Sequence, residues 1–130
     1  MLQLNDVVSG YGSIAVLHGV DAAITAGEIR VILGRNGVGK TTLLKTIAGN
    51  LPLTSGTIHL DDVDISRLAP YRRARRGIAY VPQGREIFPG LTVLDNLRVA
   101  FNQAHRGGAS QAIDETLEEF PALKVKAKAL

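Results

Sequence analysis

The sequence predicts an α/β fold. Three observations carry that expectation. Residues 34–42 form a glycine-rich loop and helix start, set between a short apolar run and a helix-forming stretch. Residues 2–8 begin with alternating apolar and polar side chains, the period of a half-buried strand. From residue 92 onward, two stretches carry helix start signals followed by helical patterning.

The elements follow in order. Leu2-Gln3-Leu4-Asn5-Asp6-Val7-Val8 reads as a strand, and Ser9-Gly10-Tyr11-Gly12-Ser13 as a turn. Residues 16–24 form a second strand, closed by Thr25-Ala26-Gly27. Glu28-Ile29-Arg30-Val31-Ile32-Leu33 is an apolar run suited to a buried strand. Residues 40–48 put Leu43, Leu44 and Ile47 on one helical face, and Gly49 supplies the stop. A loop over 50–56 leads to a strand at 57–60 and an acidic turn with Asp61, Asp62 and Asp64. Residues 70–76 read as a short basic helix. Gly77-Ile78-Ala79-Tyr80-Val81 is a second buried-strand candidate, ended by Pro82, and residues 83–90 are a loop. A helix over 92–101 starts at Thr92 as N-cap, with Asp95 as capping-box partner. Gly107-Gly108-Ala109-Ser110 breaks the chain, and Ser110 caps a helix over 111–120 whose outer face carries Glu115, Glu118 and Glu119.

The bulk properties set bounds. A chain of 130 residues is one domain or part of one. Its 45% hydrophobic and 21% charged residues suit a folded protein with a core. The net charge is +3, and Arg72, Arg73, Arg75 and Arg76 bunch together. No aromatic residues interleave with them as stacking platforms, so the cluster reads as a solvated helix face and no nucleic-acid partner is expected. The absence of cysteine excludes disulfides and thiolate metal sites. His18, His59 and His105 show no metal-ligand spacing. The N-terminus lacks a secretory pattern, and no apolar run approaches the roughly 20 residues that span a bilayer. The expectation is an intracellular soluble chain, or one held at a membrane by a partner.

Gly34-Arg35-Asn36-Gly37-Val38-Gly39-Lys40-Thr41-Thr42 matches G-x-x-x-x-G-K-[ST], the phosphate-binding P-loop. A triphosphate crowds several negative charges into a small volume. Backbone N–H groups meet them only if the loop curls tightly and no Cβ blocks approach, hence Gly34, Gly37 and Gly39. Lys40 can reach the outer phosphates, and the Thr41 hydroxyl can ligate Mg²⁺. The following helix offers unpaired N–H groups and a positive dipole end. Asn36 and Thr42 complete the candidate set in this stretch.

Taken together, the chain resembles the first part of an ATP-binding-cassette (ABC) ATPase. The likeness rests on the P-loop, on Tyr11 before it, and on Thr54-Ser55-Gly56-Thr57-Ile58. Tyr80-Val81-Pro82-Gln83 and Leu91-Thr92-Val93-Leu94-Asp95-Asn96-Leu97 extend it. The stretches from Gly34 to Lys45 and from Tyr80 to Phe88 are similar to the ATPases of urea and branched-chain amino-acid importers. The resemblance implies a P-loop NTPase core with N-terminal antiparallel strands over residues 1–91. It also implies the start of a helical subdomain over residues 92–130, so that 1–130 is a partial ABC ATPase domain.

The family likeness implies further roles. Tyr11 stacks on adenine; on its own residues it could equally be a turn tyrosine capping the sheet. Val16 could pack beside the base or be plain core. Gln83 implies a second Mg²⁺ ligand that orients the attacking water, making Lys40 and Gln83 the catalytic pair; without the likeness it is an ordinary loop glutamine. Arg85, Glu86, Ile87 and Phe88 fall where the family docks its transmembrane permease; the alternative is folding back onto the domain's own core. ATP and Mg²⁺ are the implied cofactors. The implied partners are a second ABC ATPase subunit and the permease, at the inner face of the cell membrane. The family's Leu-Ser-Gly-Gly-Gln signature, Asp-Glu strand end and switch histidine are not among the 130 residues. The 130-residue chain by itself is therefore expected to be inactive in hydrolysis. Two alternatives stand beside the importer reading: a truncated nucleotide-binding fragment without turnover, and a soluble ABC protein outside transport.

Overall fold

The computed structural model of the chain describes residues 1–84, 86–104 and 109–129. Arg85, His105, the Gly107-Gly108 break and Leu130 lie outside the described residues. Two compact units are present, one of residues 1–73 and 78–80, the other of residues 74–77 and 81–130.

In the first unit, β1 (Leu2–Tyr11) and β2 (Ile14–Ile24) form an antiparallel hairpin. β3 (Leu53–Leu60) pairs antiparallel with the other edge of β1, and the two-residue β4 (Val63–Asp64) pairs with β3, giving the sheet order β2-β1-β3-β4. β1 does not run flat. Its pairing shifts between Leu4 and Val7, where Asp6 takes a φ of +47°. Gly56 lies against this bulge so closely that a Cβ there would stand 2.2 Å from the Asp6 carbonyl oxygen. The bulge resets the alternation of β1, so that Leu4 before it and Val7 after it both reach the core with Leu17, Ile58 and Ile65, all buried. Each such side chain contributes on the order of 1.5–3 kcal/mol by leaving water.

The helix α1 (Lys40–Ala48) has the expected bounds. It ends as the sequence implies. Gly49 adopts a φ of +85°, its N–H donates to the Thr46 carbonyl (3.1 Å), and the Asn50 N–H donates to that of Lys45 (2.8 Å). These are the paired bonds of a Schellman motif. The buried face differs from the expected one. Leu43 and Ile47 pack on the core, but Leu44 is 45% exposed, and Thr42 and Thr46 are buried instead. Positions 42/46 and 43/47 form adjacent i,i+4 rows on the face toward the sheet, and Leu44 lies one step beyond them.

Two expected strands do not form. Residues 28–33 and 77–81 join no ladder of the described sheet. Ile29 is 90% exposed, Leu33 87% and Val81 89%. Their composition is that of strands buried on both faces, but a strand exists only through hydrogen bonds to a neighbour, and among the described residues none pairs with them.

The short helix α2 (Pro70–Ala74) begins as expected and ends two residues early. In the second unit α3 (Val93–Ala104) is capped by Thr92. Its Oγ1 accepts from the Asp95 N–H (3.2 Å) and donates to the Asp95 carboxylate (2.6 Å). The next helix, α4 (Ala109–Glu119), starts before Ser110, which is helical rather than a cap. Ile113 is its buried residue, and Glu115, Glu118 and Glu119 face outward as expected. A further short helix, α5 (Pro121–Val125), opens with proline in its first turn. Beyond it, the carbonyls of Ala127 and Ala129 accept from the Leu94 and Val93 N–H groups, satisfying two open donors of α3.

Candidate functional site

The glycine loop meets α1 at Gly39. This residue is the helix N-cap at a φ of +99° and offers no side chain to the helix N–H groups. Its carbonyl accepts from the Leu43 N–H (2.8 Å), which starts the helical ladder. A Cβ here would stand 3.2 Å from both Val16 Cγ1 and Leu17 Cδ2, so glycine also lets the loop settle against β2. Gly37 has a φ of +83°. The sequence thus folds into a tight curl whose next three N–H groups, on Lys40, Thr41 and Thr42, are uncapped by any side chain.

Lys40 folds back over this curl. Its Nζ donates to the carbonyls of Gly34 (2.8 Å) and Arg35 (2.6 Å). The ammonium therefore stands at the loop, satisfied by two neutral acceptors. Residues 34–38 are exposed, and so is Thr41. Thr42 is buried, and its carbonyl accepts from Thr46 Oγ1 (2.8 Å). Thr46 Oγ1 also lies 2.9 Å from Ser9 Oγ, which donates to the Pro52 carbonyl (2.8 Å). These contacts fasten the flank of α1 to β1.

Tyr11 ends β1, pairs with Ile14 and keeps its side chain 47% exposed. Val16 lies in the same hairpin and is half-buried beside Gly39. The first unit thus holds Tyr11, Val16 and the whole stretch from Gly34 to Thr42. Gln83 belongs to the second unit and is exposed. Glu86 is exposed as well, and Ile87 and Phe88 are 64% and 55% exposed. The backbone around Phe88 is nonetheless fixed. Asn96 accepts from the Phe88 N–H (2.9 Å) and donates to the carbonyls of Phe88, Leu91 and Thr92 (3.1–3.2 Å).

Sequence reasoning missed one residue outright. Arg73, expected on a solvated helix face, is 2% exposed. Its guanidinium donates to the carbonyls of Thr46 and Ile47 at the end of α1 (both 2.8 Å), and to those of Ser66 (2.8 Å) and Leu68 (2.9 Å). Burial pushes its pKa down, offset in part by the charge of Asp64. Nothing in the local pattern separates Arg73 from Arg72, Arg75 or Arg76. The neighbouring Asp64 carboxylate is held below its ordinary range by hydrogen bonds from the Ser66 hydroxyl and N–H. Thr25, through its N–H (2.9 Å) and then its hydroxyl (3.0 Å), does the same for Glu28 before the loop.

A tight glycine curl, an uncapped helix start and a lysine folded over them define the chain's class as a P-loop α/β protein. The ABC transporter family model matches residues 17–130. The probable branched-chain amino acid transport ATP-binding protein LivF of Archaeoglobus fulgidus is 38% identical over 124 residues, covering 95% of this chain and 52% of that protein. The lipopolysaccharide export system ATP-binding protein LptB of Escherichia coli K12 is 39% identical over 122 residues, covering 92% of this chain and 51% of that protein. Among solved structures, the dimeric post-hydrolysis state of an ATP-binding cassette bound to ADP and Pi superposes with a TM-score of 0.76 at 27% identity, covering 91% of this chain and 56% of that one. The chain belongs to the ABC transporter family. It spans about half the length of the curated relatives it matches.

Proposed function

We propose that the chain binds Mg·ATP as part of the energy-coupling ATPase subunit of an importer. The arrangement of Lys40 carries this reading: its ammonium is parked on the Gly34 and Arg35 carbonyls over an uncapped helix start. Phosphate oxygens are stronger acceptors than those carbonyls, so the lysine gains by exchanging partners. Gly34, Asn36, Gly37 and Gly39 shape the cradle. The N–H groups of Lys40, Thr41 and Thr42 point at it, and the Thr41 hydroxyl and Gln83 side chain are the Mg²⁺ ligands. When bound, Mg²⁺ neutralises phosphate charge. Tyr11 stacks on the adenine. Lys40 and Gln83 are the residues of this chain that serve hydrolysis, which in the whole protein drives transport. Residues 1–91 form the nucleotide-binding part and residues 92–130 open the helical subdomain.

The partners proposed are a second ABC ATPase subunit and a permease. The dimeric ADP-bound cassette supports the former. The exposed Ile87 and Phe88, on a backbone pinned by Asn96, support a docking role for the 85–88 region. Such a subunit sits on the cytoplasmic side of the membrane; among the described residues no helix is long and apolar enough to cross it. Branched-chain amino acids or urea are the proposed solutes, supported by likeness to LivF. LptB, equally similar, favours a second reading in lipid-linked export.

Two experiments test this. Titration with a fluorescent ATP analogue should show binding that Lys40→Ala weakens. Deletion of the gene should impair growth on branched-chain amino acids or urea as sole nitrogen source. Normal growth with an outer-envelope defect would favour export instead.

A further inference from the structure

We propose that Arg73 is a positioning residue for the phosphate loop, acting through the far end of α1. This rests on the nucleotide-binding reading above for its functional consequence, and on geometry alone for its structural one. Three observations support it. The guanidinium takes the Thr46 and Ile47 carbonyls at the C-terminus of α1 and, on its other side, the Ser66 and Leu68 carbonyls from the segment between β4 and α2. A positive charge at that end also complements the helix dipole. The space around it is closed: a Cβ on Gly49 would stand 2.9 Å from Arg73 Nε and 3.1 Å from Cδ. Finally, α1 has only nine residues, so its last turn and the Lys40 end are two turns apart.

The consequence is mechanical. A nine-residue helix holds itself weakly. Ser9 and Thr46 fasten its flank to β1, but among the described residues only Arg73 ties its last carbonyls to the Ser66–Leu68 segment. Without that tie, the last turn frays and the helix axis is free to tilt. The N–H groups of Lys40, Thr41 and Thr42, and the Lys40 ammonium, then no longer hold one geometry. Arg73 touches no phosphate in this account; it sets the angle at which α1 presents its first turn.

Arg73→Met removes all four hydrogen bonds. Arg73→Lys keeps the charge but not the planar fork that spans the carbonyls. Gly49→Ala keeps the arginine but crowds its Nε and Cδ, on top of the strain a side chain meets at a φ of +85°. Amide hydrogen exchange of the full chain, without nucleotide, should show residues 43–48 opening at least tenfold faster in all three, with Arg73→Lys the mildest, while the amides of β1 and β3 change less. Fluorescent ATP-analogue titration should show the dissociation constant raised about tenfold in Arg73→Met, with Arg73→Lys between it and wild type. Leu4→Ala, a core lesion in β1 outside the Ser66–Leu68 segment, serves as control and should leave the dissociation constant of the folded protein unchanged.

Wild-type exchange within residues 43–48 in Arg73→Met overturns the proposal. So does an equal loss of affinity in Leu4→Ala, which would make the effect one of general loosening. If the wild-type chain binds no nucleotide, the nucleotide reading falls, and the exchange pattern still decides whether Arg73 holds α1.

Discussion

Gly39→Ala tests the geometry of the loop at its tightest point. Gly39 has a φ of +99°, where an L side chain is strained by roughly 1–3 kcal/mol. The added methyl would also meet Val16 Cγ1 and Leu17 Cδ2, each at 3.2 Å. Both neighbours are side-chain ends and can give way by a few tenths of an ångström, so that contact adds little. Alanine restricts the unfolded chain and returns about 0.4–1 kcal/mol. The net expectation is a loss of roughly 1–2 kcal/mol. For a chain of this size that is a fall in melting temperature of roughly 3–10 °C. Gly37→Ala separates the two contributions. Its φ is +83° and its Cβ would meet nothing within 4 Å, so it bears the strain alone. Thermal melts by circular dichroism, with and without Mg·ATP, give both numbers. Stabilisation by nucleotide should shrink in Gly39→Ala, because the curl that aims the N–H groups has opened. A melting temperature within about 1 °C of wild type, with nucleotide stabilisation intact, would show that the loop does not need this conformation.

Lys40→Ala removes charge-assisted bonds to phosphate worth about 1.5–3 kcal/mol, so ATP-analogue affinity should fall roughly ten- to hundred-fold; equal affinities in titration would refute the assignment. Tyr11→Ala should weaken ATP and ADP binding alike by roughly 1–3 kcal/mol, with Tyr11→Phe nearly silent; a Tyr11→Phe loss as large as alanine's would replace stacking with a role for the hydroxyl. The Asp64 carboxylate is held low by Ser66, so its folded pKa lies below the unfolded one near 3.8. Its contribution to stability is present above that value and is lost as pH falls through the lower folded one. Asp64→Asn should therefore lower the melting temperature at pH 6 and lose that difference in strong acid; a difference constant with pH would rule out the charge as its source.

The sequence by itself determined the glycine curl, the bounds of α1 and its stop at Gly49, and the Thr92 cap of α3. Each of these is local. A positive φ, an i→i−4 ladder or a cap is decided by residues a few positions apart, and the residue types required are few. It also determined that β1 would alternate, because period two places Leu4 on the core face wherever the strand pairs. Tertiary structure alone decided the rest. Residues 28–33 and 77–81 carry strand composition, but strand formation depends on a partner that their own residues do not encode. Leu44 and Thr46 exchange expected places because burial follows the direction in which α1 meets the sheet, not hydrophobicity alone. Arg73, one of four look-alike arginines, is buried because its position faces the Thr46 and Ile47 carbonyls at the end of α1. A backbone acceptor brought close by folding leaves no mark in the sequence, since every residue carries one.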